Sequence, residues 1–430
     1  MVPSVVVLIE REVPWRREEA NKNWRPLVEG YRELAKQEAK LYPVRYIRND
    51  GPIGTVAQEI VDLLLQRGDG LVGKQGRREK VANSQLTLGF RPASGESHGR
   101  MKYSPMSRSL ATKTTEVFDA YWKLAAERQA IFFRRFRREP QPWTKDSILL
   151  RHKFTNAYRA SDRVSQFLIR HVIYKGEQTP DEVFFRTILF KLFNRISTWH
   201  LLEEAFGEVS YAEYTHKRYD SVLSRVIGRG EQIYSAAYIM PPAVRTGKRK
   251  HTGHLLLLER MMKDELPSRL GDSRTLREAF ELLRGYPMMG DFLAYQYIID
   301  LNYGPLLNFS EMEFIVPGPG ARRGIGKCFS DLGGLSEADI IRLVTEHQQE
   351  EFTHRGIKFE DLWGRPLQLI DCQNLFCEVD KYARVAFPNL QVAGGGKRIK
   401  QVYRTTSEPI EYWYPPKWGI NEKIDATRRR

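Results

Sequence analysis

"LRGYPMMGDFLAYQYIIDLNY", residues 283–303, places two helical patterns on either side of a very short turn. A charged amphipathic run stops at Gly285-Tyr286-Pro287, and a second run starts at Gly290-Asp291. Two helices joined so closely can simply pack. They can also point the backbone N–H groups of the turn, and of the next helix's first turn, at a phosphate, where the helix dipole adds favourable potential.

The chain around this hairpin reads as mainly α-helical. "TEVFDAYWKLAAERQAIFFRRFRRE" and "YRASDRVSQFLIRHVIY" repeat apolar positions at helical spacing, and "FTNAYRASDRVSQ" is read as part of one helix. "TPDEVFFRTILFKLFNRISTWHLLEEAFG" has a start signal at Thr179-Pro180-Asp181-Glu182 and a stop at Gly207. Further helices are expected at 210–227, 252–264, 274–284, 291–302 and 336–354. Strand signals are sparse and no internal repeat is visible. Residues 1–110 form an appendage with expected helices at 17–40 and 54–67, then a basic, partly flexible Gly/Ser-rich linker. Residues 111–425 form the helical domain and 426–430 a basic tail.

Composition narrows the partners. The chain has 430 residues, 41% hydrophobic and 11% aromatic, enough for a large core. Its net charge of +15 favours a polyanion, with nucleic acid first and RNA an alternative to DNA. No apolar run reaches the roughly 18 residues that span a bilayer, and the amino terminus lacks a signal-peptide pattern, so an intracellular location without membrane contact is expected. Three cysteines suit a reducing compartment, and no metal site is expected from them or from His251 and His254. Gly68–Lys74 approaches a P-loop spacing but continues with Gln75 where Ser or Thr would hold magnesium. "PGPGARRGIGKC", residues 317–328, misses that spacing by one residue and is read as a glycine-rich turn that offers N–H groups to an anion, flanked by Arg322, Arg323 and Lys327. No nucleotide cofactor is expected.

In the hairpin, Tyr286, Pro287, Met289, Gly290 and Ala294 fill the apolar, proline, apolar, glycine and small positions of a helix-hairpin-helix, while Met288 replaces its first glycine. Met289 and Gly290 are therefore candidate DNA contacts, with Lys248, Arg249 and Lys250 as candidate phosphate contacts. A monovalent cation at the hairpin is the one inorganic ligand left open. In helix-hairpin-helix DNA glycosylases a catalytic Asp lies roughly twenty residues beyond the second glycine, and Glu313 stands slightly further along. Such a carboxylate stabilises positive charge at C1′ or activates a nucleophile. Phe292 occupies the place of the Schiff-base lysine, so β-elimination is not expected.

"LIDCQNLFCEVDKYAR" gathers Asp371, Gln373, Asn374, Glu378, Asp380 and Lys381. Asp371 and Asp380 are candidate catalytic acids. Gln373, Asn374, Asn156 and Asn194 are candidate base-pocket residues, because an amide both donates and accepts. A capped helix with a surface ion pair is the structural alternative. Asn156, Arg159, Asp162, Arg163 and Gln166 fit either buried ion pairing or a pocket wall.

These blocks, together with "KFTNAYRASDRVSQFLI", "YPMMGDFLAYQYIIDLNY" and "FSEMEFIVPGPGARRGIGKCF", resemble the helical domain of the 5-hydroxymethyl-deoxyuridine DNA kinases. That domain is shared with the α-glutamyl/putrescinyl thymine pyrophosphorylases and spans about 145–420 here. The resemblance implies a DNA-glycosylase-like helical fold and an enzyme on double-stranded DNA with modified thymine, working by base flipping and then excision or hypermodification. Kinase activity is not expected without a P-loop. A non-catalytic module that reads modified DNA is the alternative.

Overall fold

The computed structural model describes residues 6–10, 44–48, 112–236, 240–243, 249–390, 398–404 and 411–428. Contacts divide the chain into two compact units, 1–96 and 97–430. In the first, β1 (Val6–Glu10) and β2 (Val44–Arg48) pair in parallel, with Val6 beside Val44 and Glu10 beside Arg48. This pair was not expected from the sequence. The helices expected at 17–40 and 54–67, the Gly/Ser-rich linker and the P-loop-like stretch lie outside the described residues.

The second unit is helical. A short strand, β3 (Lys113–Thr114), leads into α1 (Glu116–Phe136), whose cap Thr115 accepts from the Val117 N–H. α2 (Ser147–Arg151) starts at Asp146, which accepts from the N–H groups of Ile148 and Leu149. The expected helix through "FTNAYRASDRVSQ" is not formed. Residues 153–158 are irregular, Arg159–Ser161 make a single 3₁₀ turn, and α3 (Arg163–Phe167) runs into a widened π turn, Leu168–Ile173. The reason is local: the Asn156 and Asp162 side chains bond within the segment, where polar side chains compete with helical hydrogen bonds.

α4 (Pro180–Phe193) has proline in its first turn and ends at Asn194, whose φ of 48° is left-handed. The expected run to Gly207 therefore breaks there, and α5 (Ile196–Phe206) completes it. α6 (His216–Gly228), α7 (Lys250–Lys263), α9 (Leu276–Arg284) and α10 (Asp291–Leu301) lie close to the spans read from periodicity, and α8 (Leu266–Gly271), between α7 and α9, was not expected. α4 and α10 are buried nearly all round and form the centre of the unit.

The glycine-rich stretch expected as an anion-binding turn is a helix. α11 (Pro319–Cys328) presents Ala321, Gly324, Ile325 and Cys328 inward, one helical face. After β4 (Phe329–Asp331), which pairs with β3, come α12 (Glu337–Glu346), α13 (Gln348–His354), α14 (Leu369–Ala386) and α15 (Asn421–Arg428). The expected 336–354 helix is broken at His347. No described helix is long and apolar enough to cross a membrane.

α11 lies backbone to backbone on α14. A Cβ on Gly324 would stand 1.9 Å from the Phe376 carbonyl oxygen, and one on Gly320 would stand 2.9 Å from Cys377 Sγ. The glycines of this segment thus serve helix packing. Gly324→Ala is expected to destabilise the fold by at least ~2 kcal/mol, because the obstruction is backbone. Gly290→Ala, where a Cβ meets nothing within 4 Å, is expected to cost at most ~1 kcal/mol. Thermal unfolding of the two variants checks this; equal effects would contradict the packing.

Candidate functional site

A cavity of about 370 Å³ opens between α1, the 141–144 and 149–163 segments, and residues 402–404 and 412. Arg128, Arg135, Lys153, Arg163 and Arg404 line it, against one carboxylate, Asp162. Phe132, Trp143, Phe154, Tyr403 and Tyr412 supply aromatic wall. A wider groove of about 890 Å³ beside α1 carries four acids (Glu116, Asp119, Glu127, Asp146) and four bases (Lys123, Arg134, Lys145, Lys358), so it has no net attraction for an anion. Charge favours the smaller cavity.

Its wall is tied together by side-chain hydrogen bonds. Arg128 donates from Nε to the Thr155 carbonyl (2.8 Å) and from Nη2 to Asn156 Oδ1 (3.0 Å). Asn156 Nδ2 donates to the Ser161 carbonyl (2.7 Å), and its backbone N–H to Asp162 Oδ1 (2.8 Å). The Thr155 N–H donates to Glu378 of α14 (3.0 Å), whose carboxylate also pairs with Lys381 at 2.7 Å. The Lys381 ammonium sits 4.4 Å above the Phe154 ring.

Asp162 is half-buried and lines the cavity. Burial pushes its carboxyl up to about 7; the Asn156 N–H opposes this, the Glu378 carboxylate adds to it, and Arg128 and Arg159 oppose it. A proton can therefore be held or released there near neutrality.

Behind the wall lies a buried ionic network. Arg159 grips Asp300 with two bonds, Nη1 to Oδ1 at 2.6 Å and Nη2 to Oδ2 at 2.9 Å, and Lys191 approaches the same carboxylate at 3.0 Å. Burial alone would raise the Asp300 carboxyl, but Arg159 and Lys191 hold it below the usual carboxylate range. Glu311, 5% exposed, pairs with Arg365 at 2.8 Å, and burial raises its carboxyl. The Arg365 guanidinium lies 3.8 Å above the Trp418 ring. Glu311 is 21 positions beyond Gly290, closer to the expected spacing than Glu313, and was missed because the sequence does not show which acid points inward.

The candidate residues divide sharply. Of the base-pocket set, Asn156 lines the cavity and Asn194 does not: it caps α4 and accepts from Lys191 at 3.0 Å. Gln373 is fully buried in α14, with no hydrogen-bond partner for its amide among the described residues, and Asn374 is half-buried beside it; neither lines the cavity.

The acids are mostly structural. Glu313 accepts from the N–H groups of Leu276 (2.9 Å) and Arg277 (3.1 Å), so the expected catalytic carboxylate is the cap of α9 and lies off the cavity. Asp371 closes the start of α14 with the Gln368 N–H (3.0 Å) and holds the Arg159 N–H (2.7 Å). Burial, then the Glu311 carboxylate, pushes the Asp371 carboxyl up to about 7 against those two donors. Asp380 is 1% exposed and clamped by Lys327 (3.0 Å), Arg323 (3.3 Å) and Arg384 (2.6 Å). Burial would raise its carboxyl, but Arg384 and Lys327 hold it low.

The expected DNA contacts change accordingly. Lys327 is buried in that clamp and Arg323 is partly spent on it, leaving Arg322 exposed. In the hairpin Met288 adopts a φ of 62°, the left-handed conformation that glycine takes freely. Pro287 and Gly290 face outward, whereas Met289 is 2% exposed. The Met289 and Gly290 N–H groups bond inside the turn, to the Tyr286 and Met288 carbonyls, and are not available to a phosphate. Arg249 is exposed, Lys250 sits 4.2 Å above the Tyr234 ring, and Lys248 lies outside the described residues. His251 and His254 are buried and bonded to Ser224, and to Tyr234 and the Pro241 carbonyl; no metal-binding group of three occurs among the described residues.

Residues 115–392 match the family described as the 5-hmdU DNA kinase, helical domain. The chain belongs to this family. It is also similar to a protein of Bacillus phage SP10 called 5-hmdU DNA kinase, 26% identical over 322 residues. That match covers 70% of this chain and 50% of the phage protein, so the chain spans about half the length of its curated relative. No solved structure matches it. The matched span contains Asn156 and Asp162; Tyr403, Arg404 and Tyr412 lie beyond it.

Two outcomes follow from this geometry. Asp162→Asn is expected to stabilise the protein by ~1–2 kcal/mol at pH 8, discounted for the cavity's access to water. The raised carboxyl contributes fully below about pH 4, and that contribution is lost as pH rises through about 7. The difference between variant and parent in urea titrations should therefore vanish near pH 4; a pH-independent difference contradicts the shift. Glu313→Ala should cost ~1–2 kcal/mol through the lost cap, without altering any DNA binding.

Proposed function

We propose that the chain binds DNA containing thymine modified in the manner of 5-hydroxymethyluracil, and receives the extruded nucleotide in the Asn156–Asp162 cavity. One observation carries the reading: a cavity in which five cationic side chains surround a single carboxylate, Asp162, on a hydrogen-bonded wall. Cations suit the flanking phosphates, and aromatic side chains suit a base that has left its stack. At about 370 Å³ the space falls within the range of small-ligand sites, about 300–1,000 Å³.

Asn156 provides the recognition. Its amide oxygen accepts once and its amide nitrogen donates once within the wall, which leaves one acceptor position and one N–H. That pair complements the N–H and carbonyl on the edge of a uracil-type ring. Asp162 is the general acid/base of a base-modifying or base-excising step. The name of the phage relative, a DNA kinase acting on 5-hmdU, supports the substrate class. The loss of Glu313 to helix capping keeps a second reading in play, a module that recognises the modified base without acting on it.

Duplexes containing 5-hydroxymethyluracil, with and without prior phosphorylation, test this through binding and through mass spectrometry of nucleosides and free bases. The wild type is expected to prefer modified duplex, Asn156→Ala to weaken binding about tenfold, and Asp162→Asn to bind while losing ~100-fold or more of any conversion. Wild-type preference without conversion supports the recognition module. Binding that ignores both substitutions overturns the site.

A further inference from the structure

Residues 151–153 and 401–403 form a two-stranded antiparallel ribbon at the cavity mouth. His152 pairs with Val402, the Lys153 N–H donates to the Gln401 carbonyl (3.0 Å), and the Tyr403 N–H donates to the Arg151 carbonyl (3.0 Å). Four large apolar side chains stand strongly exposed among the described residues, and two of them, Val402 at 61% and Leu150 at 45%, line this one cavity. Their neighbours on the rim are cations: Lys153, Arg163 and Arg404 are all exposed.

An apolar side chain held in water between cations gains nothing for the fold. A scattered exposed valine needs no explanation, but a pair at the mouth of an electropositive cavity does. Duplex DNA satisfies both halves of the pattern, since its phosphates meet the cations while its stacked bases accept an apolar wedge. Extrusion opens a gap in the stack at a cost of a few kcal/mol, and filling that gap lowers the cost. β-branching and the ribbon's hydrogen bonds keep Val402 stiff enough to do so.

We propose that Val402, seconded by Leu150, is the wedge that enters the base stack as the nucleotide moves into the cavity, while Lys153, Arg163 and Arg404 hold the flanking phosphates. This rests on the extrusion reading above and names the element that drives it.

The test uses the full chain and a duplex with 2-aminopurine next to 5-hydroxymethyluracil, whose fluorescence rises on unstacking. Val402→Ala is expected to lower the unstacking equilibrium about tenfold, for loss of two methyl groups from the stack. Val402→Leu should restore most of it, and Ile227→Ala, an exposed residue off the cavity, should change nothing. A wild-type signal that Asn156→Ala abolishes but Val402→Ala leaves intact overturns the wedge and spares the extrusion reading. No wild-type unstacking at all overturns both.

Discussion

The bidentate bond between Arg159 and Asp300 anchors the segment on which the proposed site depends. Both groups are almost fully buried, so their cost of desolvation is met by close geometry and by Lys191, Tyr303 and Gln296 around them. The Arg159 backbone N–H is held in turn by Asp371 of α14. The 153–162 segment, which carries Asn156 and Asp162, is therefore fixed to α10 through a side chain and to α14 through its backbone. Without these attachments an irregular ten-residue stretch could not keep a carboxylate and an amide in register.

A second constraint joins this segment to the small-residue face of α11. Gly320 and Gly324 let α11 lie directly on α14, against Cys377 and Phe376. The next residue, Glu378, reaches from α14 to the Thr155 N–H. Helix packing on one side of α14 thus reaches the cavity wall through Glu378, beside the bond that Asp371 makes to the Arg159 N–H. The charged residues near it divide the labour: Asp380 with Arg323 and Lys327 locks α11 to α14, while Glu378 and Lys381 position the loop.

Much of the fold was legible. Amphipathic spacing located most of the helices after residue 112, though not α2, α8, α11 or α15, and the start signal at Thr179–Glu182 and the stop at Gly207 fell where the structure has them. The family resemblance, seen in long blocks, agrees with the family match. What failed has a common cause. "FTNAYRASDRVSQ" carries helical periodicity, but its Asn and Asp side chains bond locally and unwind it, which spacing alone does not reveal. "PGPGARRGIGKC" looked like an anion turn because glycine permits both a turn and a close helix crossing, and only the partner helix decides.

The site was legible by residue type and not by role. Asn156 was singled out, and Asp162 and Arg163 were weighed as a pocket wall. Glu313, Asp371 and Asp380 drew attention as acids, yet the first two satisfy helix-terminal N–H groups and the third satisfies cations. Burial and direction separate a catalytic acid from a cap, and neither is written in a linear spacing. The contributions of Tyr403 and Arg404 were invisible because they come from a segment some 240 positions away.

The most direct measurement is photocrosslinking of the full chain to a duplex with 5-iodouracil at one position, a base substituted at the same carbon as 5-hydroxymethyluracil. Peptide mapping should place the crosslink on the cavity's aromatic wall, at Phe154, Tyr403 or Trp143. A crosslink confined to the 285–290 turn or to the groove beside α1 would contradict the account.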